Sequence, residues 1–125
     1  MNIFYRFIRL CLRIINMTQT YKQLGQSAPN ATTLTDLYTV PASTQTVVSN
    51  IWVCNRGAAA ATFRVSKAIA GAADATKQYI VYDAPLQPGQ SIPVGAGISL
   101  QATDKIRVYA STADLSFNAD GCEIT

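Results

Sequence analysis

From Met17 onward, the chain is a series of short runs in which apolar and polar residues alternate, separated by turn-forming residues. The alternation is regular in Thr62–Ser66, Lys105–Ala110 and Leu115–Ala119. A period of two residues is that of a β-strand with one buried face, whereas an amphipathic helix repeats every three to four residues. The runs recur at the spacing of about 8–12 residues that is typical of an all-β domain. We therefore predict an all-β fold, a single antiparallel β-sandwich or jelly-roll-like domain of about eight strands.

Turn-forming residues set the ends of the predicted strands. Pro93 places the run Ile92–Val94 at a sheet edge or in a loop, because proline cannot donate to a sheet ladder. The segment Asp83–Pro85 is expected to end one strand, and Asp120–Gly121 to form a turn or a bulge. The alanine-rich stretch Ala68–Ala75 is expected to be a long loop with at most one helical turn. The predicted strands are Leu37–Val40, Thr46–Asn55, Thr62–Ser66, Gln78–Tyr82, Ile92–Val94, Ile98–Gln101, Lys105–Ala110 and Leu115–Ala119, and a final strand over Cys122–Thr125 completes the set.

Met1–Asn16 differs sharply in composition from the rest of the chain. Its polar residues recur at steps of three and four, which would place them in one stripe along an otherwise apolar helix. Arg9 and Arg13 interrupt the apolar stretch that a signal peptide needs, and the segment is shorter than the about 20 residues of a membrane span. Two interpretations remain: an amphipathic helix that lies on a membrane or docks on a partner, and an extension upstream of a natural start at Met17. We divide the chain into an N-terminal extension, residues 1–16, and a β-sandwich domain, residues 17–125, and expect this domain to fold without the extension.

The charge of the chain is concentrated in that first segment. The sequence has 10 Lys and Arg against 7 Asp and Glu, a net charge of +3, and Arg6, Arg9 and Arg13 account for the excess. The remainder has no net charge and no basic cluster of the kind that binds nucleic acid. Charged residues make up only 14% of the sequence, against about 25% in an average domain. A surface so poor in charge predicts that much of it faces other protein, and that the protein forms a homo-oligomer.

Residue types that carry catalysis are scarce. The sequence contains no histidine, which removes Ser-His-Asp and Cys-His sites, His-ligated metals and the commonest general base. Six of the seven acidic residues are aspartates at predicted strand ends, where Asp stabilises turns; a glycosidase pair drawn from distant strands is left open. The cysteines, Cys11, Cys54 and Cys122, lack metal-ligand spacing, and we expect Cys54 and Cys122 to be small buried hydrophobes without a disulfide. We predict that the protein is not an enzyme and has no catalytic residue, cofactor or metal site.

Trp52, the only tryptophan, lies in the longest predicted strand. Alternation places Trp52 and Cys54 on one face of this strand and Ile51 and Val53 on the other, so both faces are apolar. This pattern is typical of a central strand that is covered on both sides. We therefore expect the second sheet to cover one face and a neighbouring subunit to cover the other.

Three tyrosines, Tyr79, Tyr82 and Tyr109, fall within predicted strands. Tyrosine is common in strands, and its ring can also stack on a base or a sugar. We interpret these residues as core or interface side chains. Together with Trp52 they are the candidate interface residues.

Four segments resemble a known group of proteins. The segments are Thr35–Ala42 (TDLYTVPA), Val47–Arg56 (VVSNIWVCNR), Ala61–Val65 (ATFRV) and Ala110–Phe117 (ASTADLSF). They are similar to segments in a family of short structural proteins from the virions of tailed bacteriophages, including phages of cyanobacteria and marine bacteria. The similarity runs from about Tyr21 to Thr125, and the family start corresponds to Met17.

The resemblance implies a non-enzymatic virion component that is assembled in the host cytoplasm. Its partners would be other virion proteins, either the major capsid protein or tail components, and neither nucleic acid nor a membrane is expected. A capsid decoration (cement) protein is favoured, because such proteins are often single small β-domains that bridge capsomers. A tail, baseplate or fibre-associated protein is the alternative, and a carbohydrate- or receptor-binding module is the alternative from another class. By analogy with other virion β-proteins, we expect the homo-oligomer to be a trimer.

Overall fold

A computed structural model describes residues 17–95 and 97–125 of the chain. The amphipathic helix or extension predicted for Met1–Asn16 lies outside the described residues. Within them the chain forms β-strands joined by turns and loops, together with two single 3-10 turns. The strands are β1 (Gln19–Ser27), β2 (Thr35–Thr39), β3 (Gln45–Asn55), β4 (Ala61–Ala68), β5 (Tyr79–Leu86), β6 (Ser91–Val94), β7 (Ile98–Leu100), β8 (Lys105–Ala110) and β9 (Leu115–Ile124).

The strands form two antiparallel sheets. The first sheet has the order β1-β9-β3-β6, and β7 pairs with the other end of the same edge of β3. The second sheet has the order β2-β8-β4-β5. Their inner faces share one apolar core, so the predicted all-β sandwich is confirmed. The edge position predicted for the Pro93 strand is also confirmed, because β6 lies at the edge of the first sheet.

The regular alternation seen in the sequence corresponds to the buried faces of β4, β8 and β9. Phe63 and Val65 of β4 are buried, and Ile106 and Val108 of β8 lie beside them. Phe117 of β9 faces this set from the first sheet. Its ring meets the ring of Phe63 edge to face, with 6.2 Å between the centroids. The core is therefore centred on aromatic and branched side chains from the middle strands of both sheets.

Three strand boundaries differ from the prediction. β1 was not expected, because its sequence, QTYKQLGQS, is almost entirely polar; it is an edge strand that pairs only with β9. β5 continues through Asp83–Pro85 to Leu86. Pro85 fits there because β5 is also an edge strand and does not need every N–H for pairing. β9 runs without a break through Asp120–Gly121, so the predicted final strand is its second half.

Bulges do occur opposite that position, but in the neighbouring strands. Leu24 of β1 and Ser49 of β3 are the extra residues where the register with β9 shifts. Two glycines allow close backbone approach nearby. A Cβ on Gly25 would collide with the carbonyl oxygen of Leu37, and one on Gly121 with that of Val47. Gly25 thus lets β1 of the first sheet approach β2 of the second, and Gly121 lets β9 approach β3 within the first sheet, more closely than a side chain would permit.

The alanine-rich connection between β4 and β5 folds back on the second sheet. It contains the two 3-10 turns, Ile69–Gly71 and Thr76–Gln78, which agrees with the predicted long loop. The buried carboxylate of Asp104 accepts a hydrogen bond from the backbone N–H of Ala70 at 2.8 Å. The Arg107 guanidinium donates to the carbonyl oxygens of Gly71 and Ala72. These contacts fix the loop over the outer face of the second sheet.

Candidate interaction surfaces

The four candidate interface residues lie on opposite sides of the sandwich. Trp52 is on the outer face of the first sheet. Tyr79, Tyr82 and Tyr109 belong to β5 and β8 of the second sheet. The structure therefore presents two separate candidate surfaces rather than one site.

The alternation predicted around Trp52 is present. Ile51 and Val53 are fully buried beneath the second sheet, whereas Trp52 on the opposite face is 43% exposed. Coverage of that second face by a neighbouring subunit stays a prediction. Cys122 is buried as expected, but Cys54 lies beside Trp52 and is only partly buried, because its strand position points outward. Neither cysteine forms a disulfide.

We call the outer face of the first sheet the Trp52 face. It is defined by strand register and by the burial of the alternate residues. Only Asp120 among its side chains is charged. Tyr21 is 79% exposed and Val47 is 37% exposed, so large apolar side chains stand open on it. The described members are Gln19, Tyr21, Gln23 and Gln26 of β1; Gln45, Val47, Asn50, Trp52 and Cys54 of β3; Ser91 and Pro93 of β6; Ser99 of β7; and Ser116, Asn118, Asp120, Cys122 and Ile124 of β9.

Amide side chains occupy the part of the Trp52 face next to Trp52. The side-chain oxygen of Asn118 accepts hydrogen bonds from Gln26 at 2.8 Å and from Gln23 at 3.2 Å. Asn118 is the direct cross-strand neighbour of Trp52. Because an amide both donates and accepts, this row offers polar groups that can pair with another amide row.

The three candidate tyrosines surround one arginine, and we call this set the Arg64 cluster: Arg64, Tyr79, Tyr82, Asp83 and Tyr109. The guanidinium of Arg64 lies 4.2 Å from the ring centroid of Tyr82 and 4.4 Å from that of Tyr109. Tyr79 packs edge to face on Tyr82 with 5.0 Å between centroids. A planar guanidinium is suited to stacking between aromatic rings in this way.

The same guanidinium also binds a carboxylate in the cluster. Nε of Arg64 donates to Oδ1 of Asp83 at 2.6 Å, and Nη2 donates to Oδ2 at 3.2 Å. These hydrogen bonds lower the pKa of Asp83 and raise the pKa of Arg64. The charge of Arg64 is thus neutralised within the chain, and its planar faces are used by two tyrosines.

A second group of charges on the outer face of the second sheet is paired as well. The carboxylate of Asp36 forms ion pairs with the ammonium of Lys105 at 2.7 Å and with Nε of Arg107 at 3.1 Å. The hydrogen bond from Lys105 is the main cause that lowers the pKa of the Asp36 carboxyl. The two outer faces of the sandwich therefore differ in kind: one is nearly free of charge, and the other carries ion pairs satisfied within the subunit.

A polar network links β1, β3 and β9 of the first sheet to β2 of the second sheet. The carboxylate of Glu123 accepts a hydrogen bond from the hydroxyl of Tyr38 at 2.5 Å and forms an ion pair with the ammonium of Lys22 at 2.7 Å. The Tyr38 hydroxyl also lies 2.9 Å from the hydroxyl of Thr46. Lys22, and after it Tyr38, lowers the pKa of Glu123. Burial, followed by the bond to Glu123, raises the pKa of Tyr38 to about 12.

This network predicts an acid-sensitive contribution to stability. Because the pKa of Glu123 is lower in the folded state than in the unfolded state, its contribution is present above the ordinary carboxyl pKa of about 4.3 and is lost as the pH falls through the folded value. Glu123 is the only glutamate in the sequence, so its carboxyl resonance can be followed by NMR. Glu123→Gln should reduce the fall in unfolding free energy below about pH 5. Tyr38→Phe should raise the pKa of Glu123 only in part, and a Glu123 pKa at or above the ordinary value would contradict the assignment.

The described residues give little support for chemistry at a metal or in a pocket. In residues 17–95 and 97–125, no three or more His, Cys, Asp or Glu side chains lie together in a way that could hold a metal ion. No helix in this part of the chain is long and apolar enough to cross a membrane. A groove of about 450 Å³ beside the folded-back loop is lined by Lys67, Ile69, Ala72, Lys77 and Gln78. It contains no carboxylate and therefore no glycosidase pair.

Comparison with known proteins gives a distant likeness. No protein-family model matches the chain, and no curated protein matches it in sequence. Two crystal structures of a pentameric capsid protein isolated from metagenomic phage sequences are similar to it, each at 18% identity and a TM-score of 0.33. The alignments cover 88% of this chain and 62% and 60% of those chains. The chain thus spans less than two thirds of the length of the capsid proteins it matches.

Proposed function

We propose that the protein is a non-enzymatic structural component of a phage virion and works through contacts with other protein molecules. The observation that carries this proposal is the Trp52 face. Its exposed apolar side chains lie on a sheet face with a single charged member, Asp120, and exposed apolar patches usually mark interaction sites. The four segments that resemble virion structural proteins support the phage assignment.

These segments contribute to strands of both sheets. Val47–Arg56 contains most of β3, and Ala61–Val65 is the first part of β4. Ala110–Phe117 joins β8 to β9, and Thr35–Ala42 contains β2. The resemblance therefore concerns the strands that build both sheets.

Within the virion, we favour decoration of the head by many copies. A single β-domain of this size is large enough to bridge neighbouring subunits of a shell. The proposal keeps homo-oligomerisation, and the trimer expected by analogy with other virion β-proteins stays a prediction. A tail-associated role would use the same surfaces at a lower copy number.

The sugar-binding alternative receives no support from the tyrosines. Sugar rings stack on open aromatic faces, and the guanidinium of Arg64 already covers one face of both Tyr82 and Tyr109, which leaves at most the other face of each ring. The Arg64 cluster is better explained as a surface stabilised within the subunit.

Immunogold labelling of particles of the phage that carries this sequence tests the location. Antibodies raised against the purified protein should label intact heads evenly and leave the tails unlabelled. Antibodies against the major capsid protein serve as the control for access to the head surface. Labelling confined to tails would replace decoration by the tail role, and absence of the protein from purified particles would overturn the virion proposal.

A further inference from the structure

We propose that the Trp52 face is buried in solution against the Trp52 face of a second copy of this chain, in a two-fold, face-to-face contact. The inference deepens the proposed function, since it names the surface through which copies associate. It does not require the particle, because two free subunits would already meet in this way.

The charge distribution selects the partner. A charged partner would have to give up hydration and would find only the Asp120 carboxylate to pair with, and burying an unpaired charge is costly. In a contact between two copies that carboxylate needs N–H donors, and the NH2 groups of the other copy's amide side chains can supply them. The matching surface must itself be nearly uncharged, with apolar groups and amides. The Trp52 face of another copy has this composition, whereas the outer face of the second sheet carries Asp36, Arg64 and Arg107.

The row of amide side chains offers hydrogen-bond partners for the polar groups that such a contact would bury. The bonds within the row leave the side-chain oxygens of Gln23 and Gln26 as acceptors and the NH2 group of Asn118 as a donor. A copy related by a two-fold axis presents the same groups, so donors can meet acceptors in both directions. Trp52 and Val47 supply apolar area on the same strand. Interfaces with an aromatic anchor among neutral polar residues are well suited to stable association.

The size of the face is sufficient. Four strand positions about 4.8 Å apart, with about nine residues paired along them, span about 20 Å by 30 Å, or about 600 Å² on each copy. Two copies would bury about 1,200 Å² in total, which lies at the lower end of the range for specific complexes. A two-fold contact builds dimers or even-numbered assemblies, so a trimer would have to use another surface.

Trp52 is itself the probe for this contact. It is the only tryptophan in the sequence, so the fluorescence of the full-length chain reports on this face without a label. As the protein is diluted, we expect acrylamide quenching of Trp52 to increase while the mass measured by light scattering falls from dimer to monomer. Both changes should occur over the same range of concentration.

Two substitutions that keep the reporter provide a matched pair. Val47→Glu places a charge on the Trp52 face, and Ile80→Glu does so on β5 at a residue of similar exposure, 44% against 37%. Val47→Glu should weaken self-association at least about tenfold and leave Trp52 open to quencher, because a buried unpaired charge is costly. Ile80→Glu should behave like the wild type. Tyr21→Glu, at the most exposed position of the face, serves if Val47→Glu does not fold.

Three results would overturn the inference. Trp52 shielded from quencher in a species that light scattering shows to be a monomer would mean that the chain covers its own face. Trp52 open to quencher in a stable oligomer, a trimer included, would place the contact elsewhere. A monomer at all concentrations would remove the contact altogether. None of these results bears on the immunogold labelling, so failure of the inference is distinguishable from failure of the proposed function.

Discussion

Phe117→Ala is expected to lower the free energy of unfolding by about 3–5 kcal/mol, the range typical of a fully buried phenylalanine. Phe117 is 0% exposed and stands on β9, which lies between β1 and β3 in the first sheet. Its ring contacts Phe63 of β4 across the space between the sheets. Truncation would therefore open a cavity where the two sheets meet. Urea denaturation followed by far-UV circular dichroism measures the change.

Phe117→Leu is the control, because it keeps most of the apolar volume and should cost clearly less than the alanine variant. Combining Phe117→Ala with Phe63→Ala should give less than the sum of the single effects, since the two rings share one contact. A cost below about 1 kcal/mol for Phe117→Ala would contradict the packing of the two sheets around this pair.

Asn55→Ala is expected to lower the free energy of unfolding by about 2–4 kcal/mol, because several backbone groups lose their partners at once. Asn55 is fully buried at the end of β3. Its Nδ2 donates to the carbonyl oxygens of Ala59 and Leu86 at 2.9 and 3.1 Å, and its Oδ1 accepts the N–H of Gly57 at 2.9 Å. One side chain thus ties the loop after β3 to the end of β5.

The exposed Asn30 offers a matched control, since Asn30→Ala should change stability by no more than about 0.5 kcal/mol. Asn55→Asp should also be destabilising, because a carboxylate cannot donate to the two carbonyl oxygens. Equal stability of the Asn55→Ala and Asn30→Ala variants would show that the loops are held by other contacts.

The parts of the fold that could be predicted are those in which one face of a strand is buried. Phe63, Val108 and Phe117 lie on regularly alternating runs, and their strands were found close to their true positions. β1 could not be recognised, because an edge strand paired on one side needs few apolar residues to hold it. The extension of β5 was missed because Pro85, usually a terminator, is tolerated at a sheet edge.

The candidate surfaces were predictable only residue by residue. Alternation around Trp52 already indicated that it points away from Ile51 and Val53. The low charge of the whole Trp52 face depends on which strands lie side by side, and no local sequence pattern predicts the order β1-β9-β3. The Arg64 cluster was missed for the same reason, since Arg64 and Tyr109 become neighbours only through the register between β4 and β8.

We propose that this protein is a structural component present in many copies per virion, and its copy number is the most direct test. Quantitative mass spectrometry of purified particles, with labelled standard peptides from this protein and from the major capsid protein, measures the ratio of the two directly. If many copies decorate the head, we expect a copy number of the same order as that of the major capsid protein, unchanged after the particles are washed and repurified. Absence of its peptides from particles, with abundant protein in the infected-cell lysate, would contradict the account.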